Sequence, residues 1–308
     1  MSRNRILKAT RRIGLLILAA LISFAANPDA QAQKIRLDEQ SPHGASITFH
    51  KGMFYITWAG NSGRIYVMRS DDGVDWRTKI TLDEKTDQSP DITSNGTHLF
   101  IAWKGESSNA IYIMRSREGI DWGNKIRMDE KTDRRPSIVG VNGQLMLVFK
   151  GDNSNRIITL HSRDGIDWGR RVVTEETSND APTVSVMPDS STFMISWIGS
   201  GSNAVYVMQS EEGIDWKRKI RLDEEASSGP SVTAFNGRMY LTWNGRTSKQ
   251  IFVMSSRDGI DWGRRIVLDE KTNETLKIVG SDSKLLMVFK GLSSNAIYLI
   301  GSRDGIDF

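Results

Sequence analysis

A seven-residue phrase recurs six times along the 308-residue chain: SDDGVDW at 70–76, SREGIDW at 116–122, SRDGIDW at 162–168, SEEGIDW at 210–216, SRDGIDW at 256–262 and SRDGIDF at 302–308. The period is 46 residues, with one interval of 48. Units of this size are single supersecondary elements that bury their apolar faces only against neighbours, as in solenoids and propellers.

The unit is clearest at 229–270, GPSVTAFNGRMYLTWNGRTSKQIFVMSSRDGIDWGRRIVLDE. It contains four extended segments: PSVTAF, which ends at an Asn-Gly hairpin turn, then RMYLTW, QIFVMS and RRIVLDE. Side chains alternate along a strand, so Met239, Leu241 and Trp243 share one face of the second segment and Tyr240 and Thr242 the other. Both faces are largely apolar, and Phe54/Ile56/Trp58 with Tyr55/Thr57 repeat the pattern. A strand buried on both faces lies in a sheet covered on both sides. Four-stranded sheets stacked around an axis satisfy this, and the predicted fold is an all-β, six-bladed β-propeller of antiparallel blades. Repeat material begins with KIRLDE at 34–39, which matches a fourth segment, while the last copy stops at Phe308 where a fourth segment would start. Residues 34–39 are therefore expected to complete the last blade and leave no open edge.

In the recurring phrase the Ser and the acid can accept backbone amides, Gly supplies positive φ, and the aromatic plugs the seam between sheets. The phrase resembles the Asp-box (BNR-like) repeat of the sialidase-like β-propeller superfamily, whose pattern runs Ser-x-Asp-x-Gly-x-x-Trp. The copies here are one residue shorter, and Glu118 and Glu212 replace the Asp. The resemblance thus implies a non-catalytic branch, with structural roles for Asp72, Glu118, Asp164, Glu212, Asp258 and Asp304 and for Trp76, Trp122, Trp168, Trp216, Trp262 and Phe308. It also implies that these turns share one side with the turns between first and second strands, and that ligands bind on the other.

Residues 1–32 stand outside the repeat, with a basic start, an apolar run from Ile13 to Ala26 and an Ala30-Gln31-Ala32 ending. They read as a secretory signal peptide cleaved after Ala32, which makes 33–308 a single secreted or periplasmic propeller domain with no membrane span after cleavage. This leader carries five Lys/Arg and one acid, which leaves 36 bases and 36 acids in the remainder. The pI of 9.2 then belongs mostly to the leader, and nothing global favours nucleic acid as a partner. The chain has no cysteine, and its four histidines (43, 50, 98 and 161) show no metal-ligand spacing, so no metal or cofactor is expected.

The expected ligand side is built from loops leaving fourth strands and loops following second strands, rich in Asp, Glu, Ser and Asn beside Trp58, Trp103, Trp197 and Trp243. Acceptors and amides near aromatic planes suit a glycan. First strands mostly start with Ser or Thr (Ser46, Ser137, Thr183, Ser231), but Asp91 and Lys277 take those positions in repeats two and six. With His43, Arg134 and Arg135 they are candidate ligand contacts along one arc of the channel mouth, and Asn109, Asn203 and Asn295 in the repeated Ser-Asn loops are further candidates. A sialidase needs an arginine cluster, a Tyr nucleophile and an acid/base carboxylate. The Arg-Ile-Pro motif that the resemblance calls for is absent, and every Tyr sits at a repeated position. The leading expectation is a non-catalytic exported propeller that binds carbohydrate or another extracellular ligand. The alternatives are a glycoside hydrolase using channel-mouth carboxylates and a protein-interaction platform.

Overall fold

The computed structural model describes residues 34–189 and 191–308; the expected leader lies outside them. The described chain forms 24 strands in six four-stranded antiparallel sheets. Strand β1 (Ile35–Gln40) precedes blade 1, which is β2 (Ala45–His50), β3 (Met53–Ala59), β4 (Arg64–Ser70) and β5 (Arg77–Lys85). Blade 2 is β6 (Asp91–Ser94), β7 (Leu99–Lys104), β8 (Ala110–Ser116) and β9 (Gly123–Lys131). Blade 3 is β10 (Ser137–Val141), β11 (Gln144–Lys150), β12 (Arg156–Ser162) and β13 (Trp168–Thr177). Blade 4 is β14 (Thr183–Val186), β15 (Phe193–Ile198), β16 (Ala204–Ser210) and β17 (Lys217–Glu225). Blade 5 is β18 (Ser231–Phe235), β19 (Arg238–Asn244), β20 (Gln250–Ser256) and β21 (Ile266–Lys271). Blade 6 is β22 (Lys277–Gly280), β23 (Leu285–Lys290) and β24 (Ala296–Ser302), completed by β1.

The closing strand pairs with β24 through Ile35↔Leu299 and Arg36↔Tyr298, so the expected stapling of the two ends is the observed topology. The first strands face one another around the axis, β22 against β2 included. Residues of the second strands are buried almost throughout, as their two apolar faces require.

The core is divided among the six seams. One cluster joins Tyr55, Ile65 and Leu82 of blade 1 to Ile92, Leu99 and Trp103 of blade 2, with Trp122 packed against it. Trp76, Trp168, Trp216, Trp262 and Phe308 occupy the same place in the other five. At the rim each seam carries one ion pair: Lys34–Glu270 at 2.6 Å, Lys79–Glu39 at 2.7 Å, Lys125–Glu84 at 2.6 Å, Arg171–Glu130 at 2.5 Å, Lys219–Glu176 at 2.6 Å and Arg265–Glu224 at 2.7 Å. The closing strand thus supplies Lys34 to one neighbour and Glu39 to the other.

The repeated phrase forms the turn between third and fourth strands. In the turn at 70–76, Ser70 Oγ accepts the Gly73 amide at 2.8 Å, and Asp72 Oδ1 accepts Val74 and Asp75 amides at 2.7 and 2.9 Å. Asp164, Asp258 and Asp304 make the same pair of bonds. Gly73 has φ of 72°, and its five equivalents are also left-handed, which only glycine adopts without strain. In the first-to-second-strand turn of blade 5, Asn236 and Gly237 both have positive φ, as a hairpin turn matched to strand twist requires. The two turn types share one side: Tyr55 of β3 donates its hydroxyl to Glu118 O, and Tyr240 of β19 donates to Asp304 O.

Candidate functional site

The other side is bounded by loops from each fourth strand to the next first strand, held against the second-to-third-strand loops. Amides of Thr86, Thr132, Ser178, Ala226, Thr272 and Ser41 donate to carbonyls of Gly63, Asn109, Asn155, Asn203, Lys249 and Asn295 respectively. These six bonds put the six entering loops in register.

At the inner wall the exposed edge of each first strand leaves amides that need acceptors. In four blades the side chain that starts the inner strand caps the amide next to the start of the following one. Ser46 Oγ accepts Ile92 N at 3.3 Å, Asp91 Oδ2 accepts Ile138 N at 2.9 Å, Ser137 Oγ accepts Val184 N at 3.3 Å, and Ser231 Oγ accepts Ile278 N at 3.2 Å. This capping accounts for Ser46, Ser137 and Ser231, whereas Thr183 donates its hydroxyl to Pro230 O at 2.8 Å. Asp91 also receives the hydroxyls of Ser46 at 2.5 Å and Ser137 at 3.0 Å, and Lys277 Nζ lies 3.0 Å from both of its carboxylate oxygens. Asp91 and Lys277, 186 residues apart, therefore meet as an ion pair across blade 1, with exposures of 0% and 7%. Burial pushes the Asp91 carboxyl up, but the charges of Lys277 and Arg135 and the bonds from Ser46 and Ile138 outweigh it and hold the group below its ordinary range. Burial lowers Lys277, opposed by Asp91. Lys277 of this pair lines an axial cavity of 480 Å³ that runs between the inner strands toward Pro188, Asn236 and Asp282 at the other side.

Above this pair stands a ring formed by the third residue of each entering loop: His43, Gln88, Arg134, Asp180, Ser228 and Glu274. Six blades that otherwise repeat one another present six different polar side chains here, mostly half-buried as the walls of a mouth are. Arg134 Nε is 3.2 Å from Asp180 Oδ1, while Asp180 Oδ2 accepts the Gly229 amide at 2.9 Å. Burial raises the Glu274 carboxyl; Lys290 opposes the shift and the Asp180 charge adds to it. His43 is lowered by burial, with Asp87 opposing and Lys290 assisting. Beneath the loops, buried Lys104 reaches both Asp87 oxygens at 2.6 and 2.8 Å, Lys150 reaches Asp133 at 2.7 Å, and Lys290 reaches Asn273 Oδ1 at 3.1 Å. Sequence reasoning missed these lysines and also Asp180 and Glu274. The available signal was a Lys closing an otherwise apolar second strand, and the one loop position at which no two repeats agree.

The structure brings Asp91, Lys277 and Arg135 into one electrostatic cluster and sets Arg134 and His43 in the ring above it. It does not bring Asn109, Asn203 or Asn295 there. Asn109 and Asn203 hold left-handed turns with φ of 51° and 54°. Asn109 Nδ2 donates to Asp152 at 3.0 Å, Asn203 Oδ1 accepts from Asn179 at 3.0 Å, and Asn295 Nδ2 donates to Asn61 at 3.2 Å. Trp58, Trp103, Trp197 and Trp243 are at most 1% exposed and present no face to a sugar; Trp58, Trp103 and Trp197 stack on Tyr66, Tyr112 and Tyr206 instead. Tyr298 likewise stacks on Phe289. With Tyr55 and Tyr240 bonded on the other side, all six tyrosines are accounted for, and each has a structural contact.

No family model matches the chain, and no curated protein matches it. Its fold is shared with solved structures of low identity. A lectin, BP39L from Burkholderia pseudomallei, aligns with TM-score 0.61 at 10% identity, over 82% of this chain and 78% of that one. A mutant of the Aleuria aurantia lectin in complex with Fucalpha1-6GlcNAc gives 0.61 at 9%, over 87% and 93%. The subtype N10 neuraminidase-like protein of A/little yellow-shouldered bat/Guatemala gives 0.60 at 9%, over 87% and 98%. The class so defined is the six-bladed β-propeller whose structural neighbours include carbohydrate-binding lectins and neuraminidase-like proteins.

Proposed function

We propose that this chain is an exported, non-catalytic propeller of the sialidase-like superfamily that binds carbohydrate at the loop-side mouth, with its repeated turns acting as Asp-box fasteners. The observation that carries the reading is the ring of His43, Gln88, Arg134, Asp180, Ser228 and Glu274, six unlike polar groups at one position of an otherwise regular repeat. Unlike donors and acceptors, five of them half-buried, gathered at the loop ends around the axis suit sugar hydroxyls. The lectin neighbours support the ligand class, and the structural contacts of all six tyrosines argue against a Tyr nucleophile. Asp91 and Lys277 then support the floor on which Arg134 and Asp180 meet the ligand.

A glycan array with residues 33–308 tests this reading. A glycan hit whose affinity falls more than tenfold, about 1.4 kcal/mol, in Asp180→Asn and in Arg134→Gln supports it. Binding that is unchanged in both variants removes the mouth from consideration and moves the search to the loops around Asn109, Asn203 and Asn295.

One observation favours the hydrolase alternative: Glu274, its carboxyl raised by burial, stands within electrostatic reach of Asp180, and acid/base cleavage of a glycoside uses a raised carboxyl as its acid beside a second carboxyl. A fluorogenic glycosidase panel separates the readings. Turnover abolished by Glu274→Gln would replace the binding reading with the enzymatic one.

A further inference from the structure

Arg135 occupies the fourth position of the loop entering blade 3, where the other blades carry Gly44, Ser89, Ala181, Gly229 and Thr275. It is 2% exposed, and its Nε, Nη1 and Nη2 are buried with no hydrogen-bond partner among the described residues. A guanidinium remains charged and carries five donors, and leaving them unmet in the interior is strongly unfavourable. The carboxylates nearest in electrostatic terms are Asp91 and Asp180. Both are committed elsewhere. The Asp91 oxygens take Ser46, Ser137, Ile138 N and Lys277, and the Asp180 oxygens take Arg134 and Gly229 N. The buried cluster of Lys277, Arg135 and Asp91 therefore holds two cations against one carboxylate, and the surplus charge resides on the group with unmet donors.

We propose that Arg135 holds a small monovalent anion, of the halide or formate class, beneath the loop-side mouth. One positive charge in excess calls for one negative charge, and a dianion would reverse the imbalance in a region shielded from water. Burial excludes a bulky ion. The planar fork of N–H donors supplies directed contacts that a lysine at this position would not. Lys277 neutralises Asp91, so the carboxylate beside the site does not cancel the attraction. The inference is independent of the carbohydrate reading, because it rests on a side chain below the ring and not on the ring.

The test is chloride binding by the full chain, read as broadening of the ³⁵Cl resonance during a sodium chloride titration. The expected result is excess broadening that saturates, is displaced by bromide and is lost in Arg135→Gln. Broadening that does not saturate, or that persists in the variant, overturns the proposal. Crystals of the unmodified protein soaked in bromide give a second reading that does not depend on the variant folding. An anomalous peak within hydrogen-bond distance of the Arg135 guanidinium supports the site, and no peak there overturns it. A glycan array without hits leaves either outcome unchanged, so the two proposals fail separately.

Discussion

Asp91 replaces a hydroxyl with a carboxylate in the inner ring, and Lys277 is the consequence. Lys277→Ser alone removes the cation that contacts both Asp91 oxygens, leaves that buried carboxylate only the unbonded Arg135 charge, and should lower stability by about 3 kcal/mol. The double variant Asp91→Ser, Lys277→Ser restores the hydroxyl pattern of the other blades and should recover most of that loss. Urea unfolding of both variants checks the prediction; equal stabilities would show that the pair contributes nothing as a pair. The turn carboxylates of Asp72, Asp164, Asp258 and Asp304 have a different signature. Backbone amides from the two residues that close each turn hold them below the ordinary carboxylate range. A group whose folded pKa is depressed stabilises the fold above its unfolded pKa, near 4, and loses that contribution as pH falls through the folded value. Asp258→Asn keeps an acceptor oxygen but cannot titrate, so its melting temperature should fall less between pH 6 and pH 3 than that of the parent chain. Parallel acid limbs would contradict the assignment. Asp72 and its equivalents were legible as turn acceptors from the phrase alone. Arg135 was legible only as a candidate contact, because its lack of partners depends on what Asp91 and Asp180 bind elsewhere.

Strands differ in what they contribute according to where they lie in the blade. Deleting residues 33–40 removes β1, exposes the β24 edge and strips Leu37 from the seam between blades 6 and 1. Lower melting temperature and aggregation in size-exclusion chromatography are the expected outcomes. A truncated chain as stable and monodisperse as the parent would mean that β1 does not close the ring. Trp103 on β7 and Trp168 at the start of β13 offer a graded comparison within the seams. Trp103→Ala empties a site that is 1% exposed and should cost about 3–5 kcal/mol, whereas Trp168 is only half-buried and its truncation should cost less. Thermal melts rank them, and the reverse order would overturn the view that the second strands form the centre of each seam. The strand pattern was readable because a two-faced apolar strand has few homes. The burial of Trp58 and Trp103 away from any ligand was not, because alternation places a side chain on a face without saying what covers that face.

A ring of six blades offers two kinds of site: repeated grooves between blades, or one mouth on the axis. In this molecule the grooves at the rim are filled by the six Glu–Lys/Arg pairs, whereas the mouth is the place where the blades differ. Titration calorimetry with a glycan that binds should therefore give one ligand per chain, and a stoichiometry approaching six would transfer the site to the seams. The sequence by itself determined the period, the four strands per unit, the glycine-dependent turns and the exchange of a strand between the chain ends, because each follows from local φ preference and from the alternation of apolar residues. Only the tertiary structure decided that Asp91 and Lys277 neutralise each other across blade 1, that the asparagine loops serve as links between blades, and that Arg134 and Asp180 pair at the mouth. Those outcomes depend on distances between residues tens to hundreds of positions apart, which ring closure sets and no single repeat encodes.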